Sequence, residues 1–163
     1  IDANGRIKLS PRFISDFLGQ DEGSVVFHYL PEGTLALYPE NVYKEMRSAE
    51  QHPAARAAES MVFRRTLRKF GALSQTQKIT EQGRITIPPM YREITELQPG
   101  GEAVLVGVEI GVEIWNAAKW DAELKRIILH SMEKGDREMA ADLSPQDKAF
   151  SGFSIDENKI RRT

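Results

Sequence analysis

The amino-acid sequence predicts an α+β, β-rich body organised about an internal pseudo-twofold axis, and two observations predict it. The first is an internal repeat: Asp-Ala-Asn-Gly-Arg-Ile-Lys-Leu-Ser-Pro-Arg-Phe at 2–13 returns as Thr-Glu-Gln-Gly-Arg-Ile-Thr-Ile-Pro-Pro-Met-Tyr at 80–91. One offset matches Gly5 with Gly83, Arg6 with Arg84, Ile7 with Ile85, Leu9 with Ile87, Pro11 with Pro89 and Phe13 with Tyr91. After a one-residue slip, Leu35 matches Val112, Leu37 matches Ile114, Tyr38 matches Trp115 and Tyr43 matches Trp120. Two copies are too few for a solenoid, so the halves are expected to close on each other. The second observation is the period of each phrase. The runs Arg6-Ile7-Lys8-Leu9 and Arg84-Ile85-Thr86-Ile87 alternate. Alternation puts Ile7, Leu9, Ile85 and Ile87 on one strand face and Arg6, Lys8, Arg84 and Thr86 on the other.

The elements follow in order. Gly5 and Gly83 read as hairpin turns with strands leaving them. Each run stops at proline, Pro11 or Pro88-Pro89. Proline cannot donate to a ladder but suits the first turn of a helix, so short helices are expected over 12–18 and 90–97. Residues 24–29 and 103–108 are apolar enough for buried strands, and 34–38 and 112–115 follow as strands after turns at Gly33 and Gly111. Between the copies, 41–51 reads as a helix ended near Pro53, and 54–70 as a longer one closed by Gly71. After the second copy, Asn116 caps a helix in which Trp120, Leu124, Ile127 and Ile128 recur at helical spacing. These helices are expected to cover the β body. From Gly135 the apolar period fades, and 135–163 reads as a polar, weakly structured tail. The copies thus occupy 1–46 and 74–134, the second with its helix, joined by connecting helices over 47–73. The second phrase is preceded by a strand-like approach, Ser74 to Ile79, whereas the first begins at Ile1; a few residues of strand are expected ahead of Ile1.

Composition bounds the function. The chain has 163 residues, 40% hydrophobic and 28% charged, as in a soluble globular domain. Its apolar runs fall far short of the ~20 residues of a membrane span. It has no cysteine, which excludes a disulfide framework, a thiolate metal site and a cysteine nucleophile, and is compatible with a reducing cytosol. A net charge of −2 supplies no global positive field for nucleic acid, so any such role rests on a local patch.

Arg6 and Arg84 each follow a glycine at a turn, where a guanidinium can approach a groove and bond guanine or phosphate bidentately. The competing reading is that they are solvated, or that Arg6 pairs with Asp2 to brace the turn. Lys8 and Thr86 share their strand face. Arg12 and Arg92 stand at the short helices, within reach of phosphates or of an ion pair. The stretch 54–70 is a basic amphipathic helix, with Val62, Phe63, Leu67 and Phe70 on one arc and Arg64, Arg65, Arg68 and Lys69 on the other. It suits DNA, anionic lipid, an acidic neighbouring subunit or plain solvation. His28, His52 and His130 lack metal-ligand spacing, carboxylates are scattered, and Gly100-Gly101 lacks the Lys-Ser/Thr of a phosphate loop. No catalytic residue, metal or cofactor is therefore expected.

The doubled order of Asp2-Ala3-Asn4-Gly5-Arg6, an alternating strand and proline, with Leu37-Tyr38-Pro39 and Val106-Gly107 followed by Glu113-Ile114-Trp115, resembles the MraZ family of bacterial transcriptional regulators, built from two tandem SpoVT-AbrB-type repeats. The resemblance covers nearly everything up to about residue 130. Thr80 stands where the family usually has aspartate, the first strand exits through Ser10-Pro11, and Ile14 stands where arginine is frequent. The resemblance implies a swapped-hairpin, AbrB-like double-repeat β-barrel closed within one chain. It implies a ring-shaped homo-oligomer that binds double-stranded DNA at closely spaced direct repeats of a promoter, typically that of the division and cell-wall gene cluster. Arg12 and Arg92 occupy positions where the family also carries arginine. The expectation is a sequence-specific DNA-binding regulator in the cytoplasm, at the nucleoid, and not an enzyme, with no small-molecule substrate and no membrane partner. Two other classes compete: an oligomeric protein-interaction scaffold without DNA readout, and an antitoxin-like partner whose tail 135–163, ending in Lys159, Arg161 and Arg162, wraps a toxin.

Overall fold

The computed structural model describes residues 1–19, 23–48 and 53–142. Ile1–Trp120 form one compact unit, and Asp121–Asp142 belong to a second. The first unit begins with β1 (Arg6–Lys8), α1 (Pro11–Leu18), β2 (Ser24–Tyr29) and β3 (Leu35–Pro39). The helices α2 (Glu40–Ser48), α3 (Pro53–Glu59) and α4 (Met61–Ala72) lead to β4 (Ser74–Lys78), β5 (Arg84–Thr86), α5 (Pro89–Thr95), β6 (Ala103–Gly107) and β7 (Val112–Asn116). The last helix, α6 (Ala117–Asp142), runs on into the second unit.

The α+β class holds, and the strand registers contain the twofold. β1 pairs antiparallel with β5 as Arg6 with Thr86, Ile7 with Ile85 and Lys8 with Arg84. Exchanging each residue for its repeat equivalent returns the same three pairs, so the Ile7–Ile85 pair lies on the axis. β3 and β7 behave alike, pairing Leu35 with Ile114, Ala36 with Glu113 and Leu37 with Val112, which puts Ala36–Glu113 on the same axis. The described strands form this two-stranded ribbon and a five-stranded antiparallel sheet of order β4-β2-β3-β7-β6. Both feed one core. Ile7, Leu9, Ile85 and Ile87 from the ribbon phrases are buried with Phe27, Leu37, Tyr91 and Ile114. Each such side chain contributes about 1.5–3 kcal/mol of transfer free energy.

The copies interlock at their glycines. Leu9 N donates to Gly83 O at 2.8 Å, and the equivalent Ile87 N donates to Gly5 O at 2.9 Å. Gly5 and Gly83 have φ of +73° and +74°, a region that side chains with a Cβ avoid. A Cβ on Gly5 would lie 2.7 Å from Arg92 Cζ, and one on Gly83 would collide with Ile14 Cδ1. Ile14 and Arg92 are themselves repeat equivalents, so each copy lays the same helical position across the other's turn.

Several expectations change. The hairpin closes only locally, as Thr80 N to Arg84 O and Gly83 N to Thr80 O. Beyond the turn β4 pairs with β2 and β5 with β1, so both arms of the second copy's hairpin pair with strands of the first. Of the two strands expected to be buried, β2 is; β6 is only half-buried, having β7 alone as a neighbour among the described strands. The single helix expected over 54–70 breaks at Ser60, whose Oγ accepts from Phe63 N at 3.1 Å and caps α4. Serine competes with the helix for its own backbone and favours such a cap. Val62, placed on the apolar arc, is 73% exposed. Asn116 Oδ1 accepts from Ala118 N and Lys119 N, as a cap should. Leu124, Ile127 and Ile128 recur along α6 but are exposed. α6 carries the helix through Asp142, and the rest of the expected tail, 143–163, lies outside the described residues, as does His52.

His28 is buried on β2, with Nδ1 2.7 Å from Ser74 Oγ and its ring stacked on Phe70. Tyr43 Oη also donates to Ser74 Oγ, at 2.7 Å. Burial first, and the cations Lys69 and Arg47 after it, hold the imidazole below its ordinary value of 6.5, against a backbone hydrogen bond at Leu73 that raises it. The unfolded chain therefore binds more protons as pH falls below 6.5. This group's stability contribution is expected to be complete above that pH and to be lost progressively below it, as pH falls through the lowered folded value. Urea unfolding at neutral and mildly acidic pH checks this, and His28→Gln should flatten that part of the dependence.

Candidate nucleic-acid interface

The ribbon β1–β5 carries the candidate site. Because directly paired residues share a face, the exposed side of the ribbon presents Arg6, Lys8, Arg84 and Thr86, while Ile7 and Ile85 face the core. Arg6 and Arg84 are diagonal neighbours, about 7–8 Å apart at that ladder position. Both line a cleft of about 310 Å³ with Asp2, Lys8, Ala103 and Leu105, and another of about 250 Å³ with Gln77, Lys78, Thr80 and Thr86. The two arginines thus stand between two clefts that flank the ribbon.

The turns that present them are built alike and finished differently. In the first copy Asp2 Oδ1 accepts from Asn4 N and Arg6 N, both at 2.9 Å, and Asp2 Oδ2 accepts from Arg6 Nε at 2.8 Å. The Arg6 backbone N–H foremost, then the Arg6 side chain and Asn4 N–H, hold the Asp2 carboxyl below its usual range. In the second copy Thr80 Oγ1 accepts from Arg84 N at 3.0 Å. A hydroxyl does that much of the carboxylate's work but does not grip a guanidinium. Among the described residues Arg84 has no ion-pair partner. The Arg6–Asp2 pair stays open, its side chains 44% and 43% exposed.

The other nominated residues are placed elsewhere. Arg92 is half-buried with its guanidinium over Gly5, and its Nε has no hydrogen-bond partner among the described residues. Arg12 is exposed on α1 beside a third cleft, with Phe13, Phe17 and Val42. On α4, Arg65 and Arg68 are exposed, whereas Arg64 Nη1 donates to Ala57 O at 2.7 Å and ties α4 to α3. Lys78, on β4, lines the second cleft and was not nominated from the sequence; its signal was its place on a polar strand two residues ahead of Thr80. Among the described residues no cluster of three or more His, Asp or Glu offers a metal site, and no helix is long and apolar enough to cross a membrane.

Comparison with known proteins adds a lineage to this geometry. A family model described as "MraZ protein, putative antitoxin-like" matches residues 72–143. The chain is similar to proteins named transcriptional regulator MraZ. It is 30% identical to that of Syntrophobacter fumaroxidans over 77% of this chain and 79% of the relative. It is 30% identical to that of Bifidobacterium longum over 90% and 88%, and 34% identical to that of Corynebacterium kroppenstedtii over 74% and 78%.

Proposed function

The chain belongs to the MraZ family, and we propose that it is a sequence-specific DNA-binding transcriptional regulator that lays the β1–β5 ribbon into the major groove. The observation that carries this reading is the ribbon's exposed face, where the twofold ladder sets Arg6, Lys8, Arg84 and Thr86 side by side. The major groove of B-form DNA is about 12 Å wide and admits a two-stranded β-ribbon. Arginine and lysine on such a ribbon reach guanine edges and phosphates, while Thr86 suits a sugar or phosphate oxygen.

One chain bears −2 overall, so a single ribbon works against the protein's own field. Linked copies overcome this, since multivalency adds on the order of 10²–10⁴ in avidity with no new type of contact. We therefore place the ribbons of a ring-shaped homo-oligomer on successive direct repeats of a promoter, that of the division and cell-wall gene cluster, in the cytoplasm at the nucleoid.

Fluorescence anisotropy tests the reading, with a labelled duplex enriched from a randomised library and its scrambled counterpart, each titrated at several salt concentrations. A regulator is expected to favour the enriched duplex by about 10³-fold or more, and its log affinity to fall linearly with log salt. An unenriched library, with equal and weak binding to every duplex, would instead support the protein-interaction scaffold.

A further inference from the structure

We propose that the ribbon reads its site with one orientation, because Asp2 makes Arg6 the base-reading arginine while Thr80 leaves Arg84 as a backbone clamp. This inference rests on the DNA-binding reading and adds to it a division of labour between the copies. A twofold-symmetric ribbon would bind a duplex equally well in either direction. Direct repeats are polar, so something must break the symmetry.

The break lies in how each guanidinium is held. Asp2 Oδ1 is pinned by two backbone N–H groups, so Oδ2 is a fixed acceptor, and it holds Arg6 by Nε at 2.8 Å. Gripping Nε leaves both Nη groups free, and these are the two donors that bond guanine O6 and N7 end-on. A preoriented fork loses little freedom on binding and is intolerant of a wrong base. Arg84 has the same backbone turn but no carboxylate, since Thr80 Oγ1 serves only Arg84 N. Its unheld side chain can follow a phosphate and has no fixed direction from which to read a base. The ladder adds to the difference: Arg84 stands opposite Lys8, a second cation for a phosphate, whereas Arg6 stands opposite Thr86.

The roles separate under single substitutions, measured with the enriched and scrambled duplexes and with thermal melting of each variant. Asp2→Asn keeps an oxygen for the two N–H groups and removes the grip on Nε. It is expected to lower the ratio of specific to non-specific affinity by about tenfold with the melting temperature unchanged. Arg6→Lys is expected to do the same. Arg84→Gln is expected to weaken both duplexes alike and to reduce the salt slope by about one, leaving the ratio intact. Thr80→Asp installs a second tether, and is expected to make binding to a duplex with one of its two repeat units inverted relative to the other approach that of the direct repeat. Equal losses of ratio in Arg6→Lys and Arg84→Lys, or an unchanged ratio in Asp2→Asn, would overturn the division of labour while DNA binding stood. Failure of the unaltered protein to enrich any duplex would remove the reading beneath it.

Discussion

A chain carrying Arg6→Glu and Arg84→Glu together is expected to lose duplex affinity by on the order of 10²–10⁴-fold, with its melting temperature and solution mass unchanged. Arg6 is credited with a base contact of about 1–3 kcal/mol and Arg84 with a charge-assisted phosphate bond of about 1.5–3 kcal/mol, every 1.4 kcal/mol is about tenfold, and the new carboxylates face phosphates. Folding is expected to be indifferent because both side chains point away from the core and are exposed. Exposed substitutions generally stay within about ±0.5 kcal/mol, and the lost Arg6–Asp2 pair is a surface pair worth about 0–1 kcal/mol. Anisotropy, sedimentation and thermal melting settle the three quantities separately. Retained affinity would move the interface off the ribbon. A drop in solution mass would instead place the arginines in contacts between copies of the chain.

The largest effect on folding is expected at Gly83. Alanine there must hold a φ of +74°, at roughly 1–2 kcal/mol for a left-handed residue. Its Cβ must also displace Ile14, a stiff β-branched side chain packed against the core, and comes within 3.3 Å of Leu9 O. Together these suggest a loss of about 2–4 kcal/mol, the steric part being of the size seen for overpacked cores. Gly5→Ala has the same dihedral strain, but its Cβ meets the end of the Arg92 side chain, which can swing aside; it is expected to cost less. Adding Ile14→Ala should recover part of the Gly83→Ala loss, a non-additivity that a double-mutant cycle in urea measures directly. Equal costs for Gly5→Ala and Gly83→Ala, with no recovery by Ile14→Ala, would count against the crossing of each helix over the other copy's turn.

Much of this architecture was readable in one dimension. A period of two separated Ile7, Leu9, Ile85 and Ile87 from Arg6, Lys8, Arg84 and Thr86, and the buried and exposed positions alternate accordingly. Proline set the starts of α1 and α5. The repeat equivalences 35 to 112 and 37 to 114 are those that lie about the twofold in the β3–β7 ladder. The sequence offers Asp2 as a partner for Arg6 that braces the turn; in the structure its carboxylate accepts from two backbone N–H groups and from Arg6 Nε at once. The break at Ser60 is invisible to an amphipathic period, which runs through a capping residue that ends one helix and starts the next.

What the sequence determined by itself is therefore face and equivalence: which side chains turn inward, which outward, and which residue of one copy corresponds to which of the other. Tertiary structure alone decided partnership. It put β1 against β5 across the ribbon, laid Arg92 over Gly5 and, among the described residues, left β6 with one neighbouring strand and held Arg6 but not Arg84 by its side chain. The reason is the range of the forces involved. Periodicity, capping and turn preference arise between residues a few positions apart and leave their mark in a short window. Ladder pairing and burial depend on segments some 80 residues away along the chain, such as Ile7 and Ile85, and a period of two specifies a face without naming the strand that will meet it.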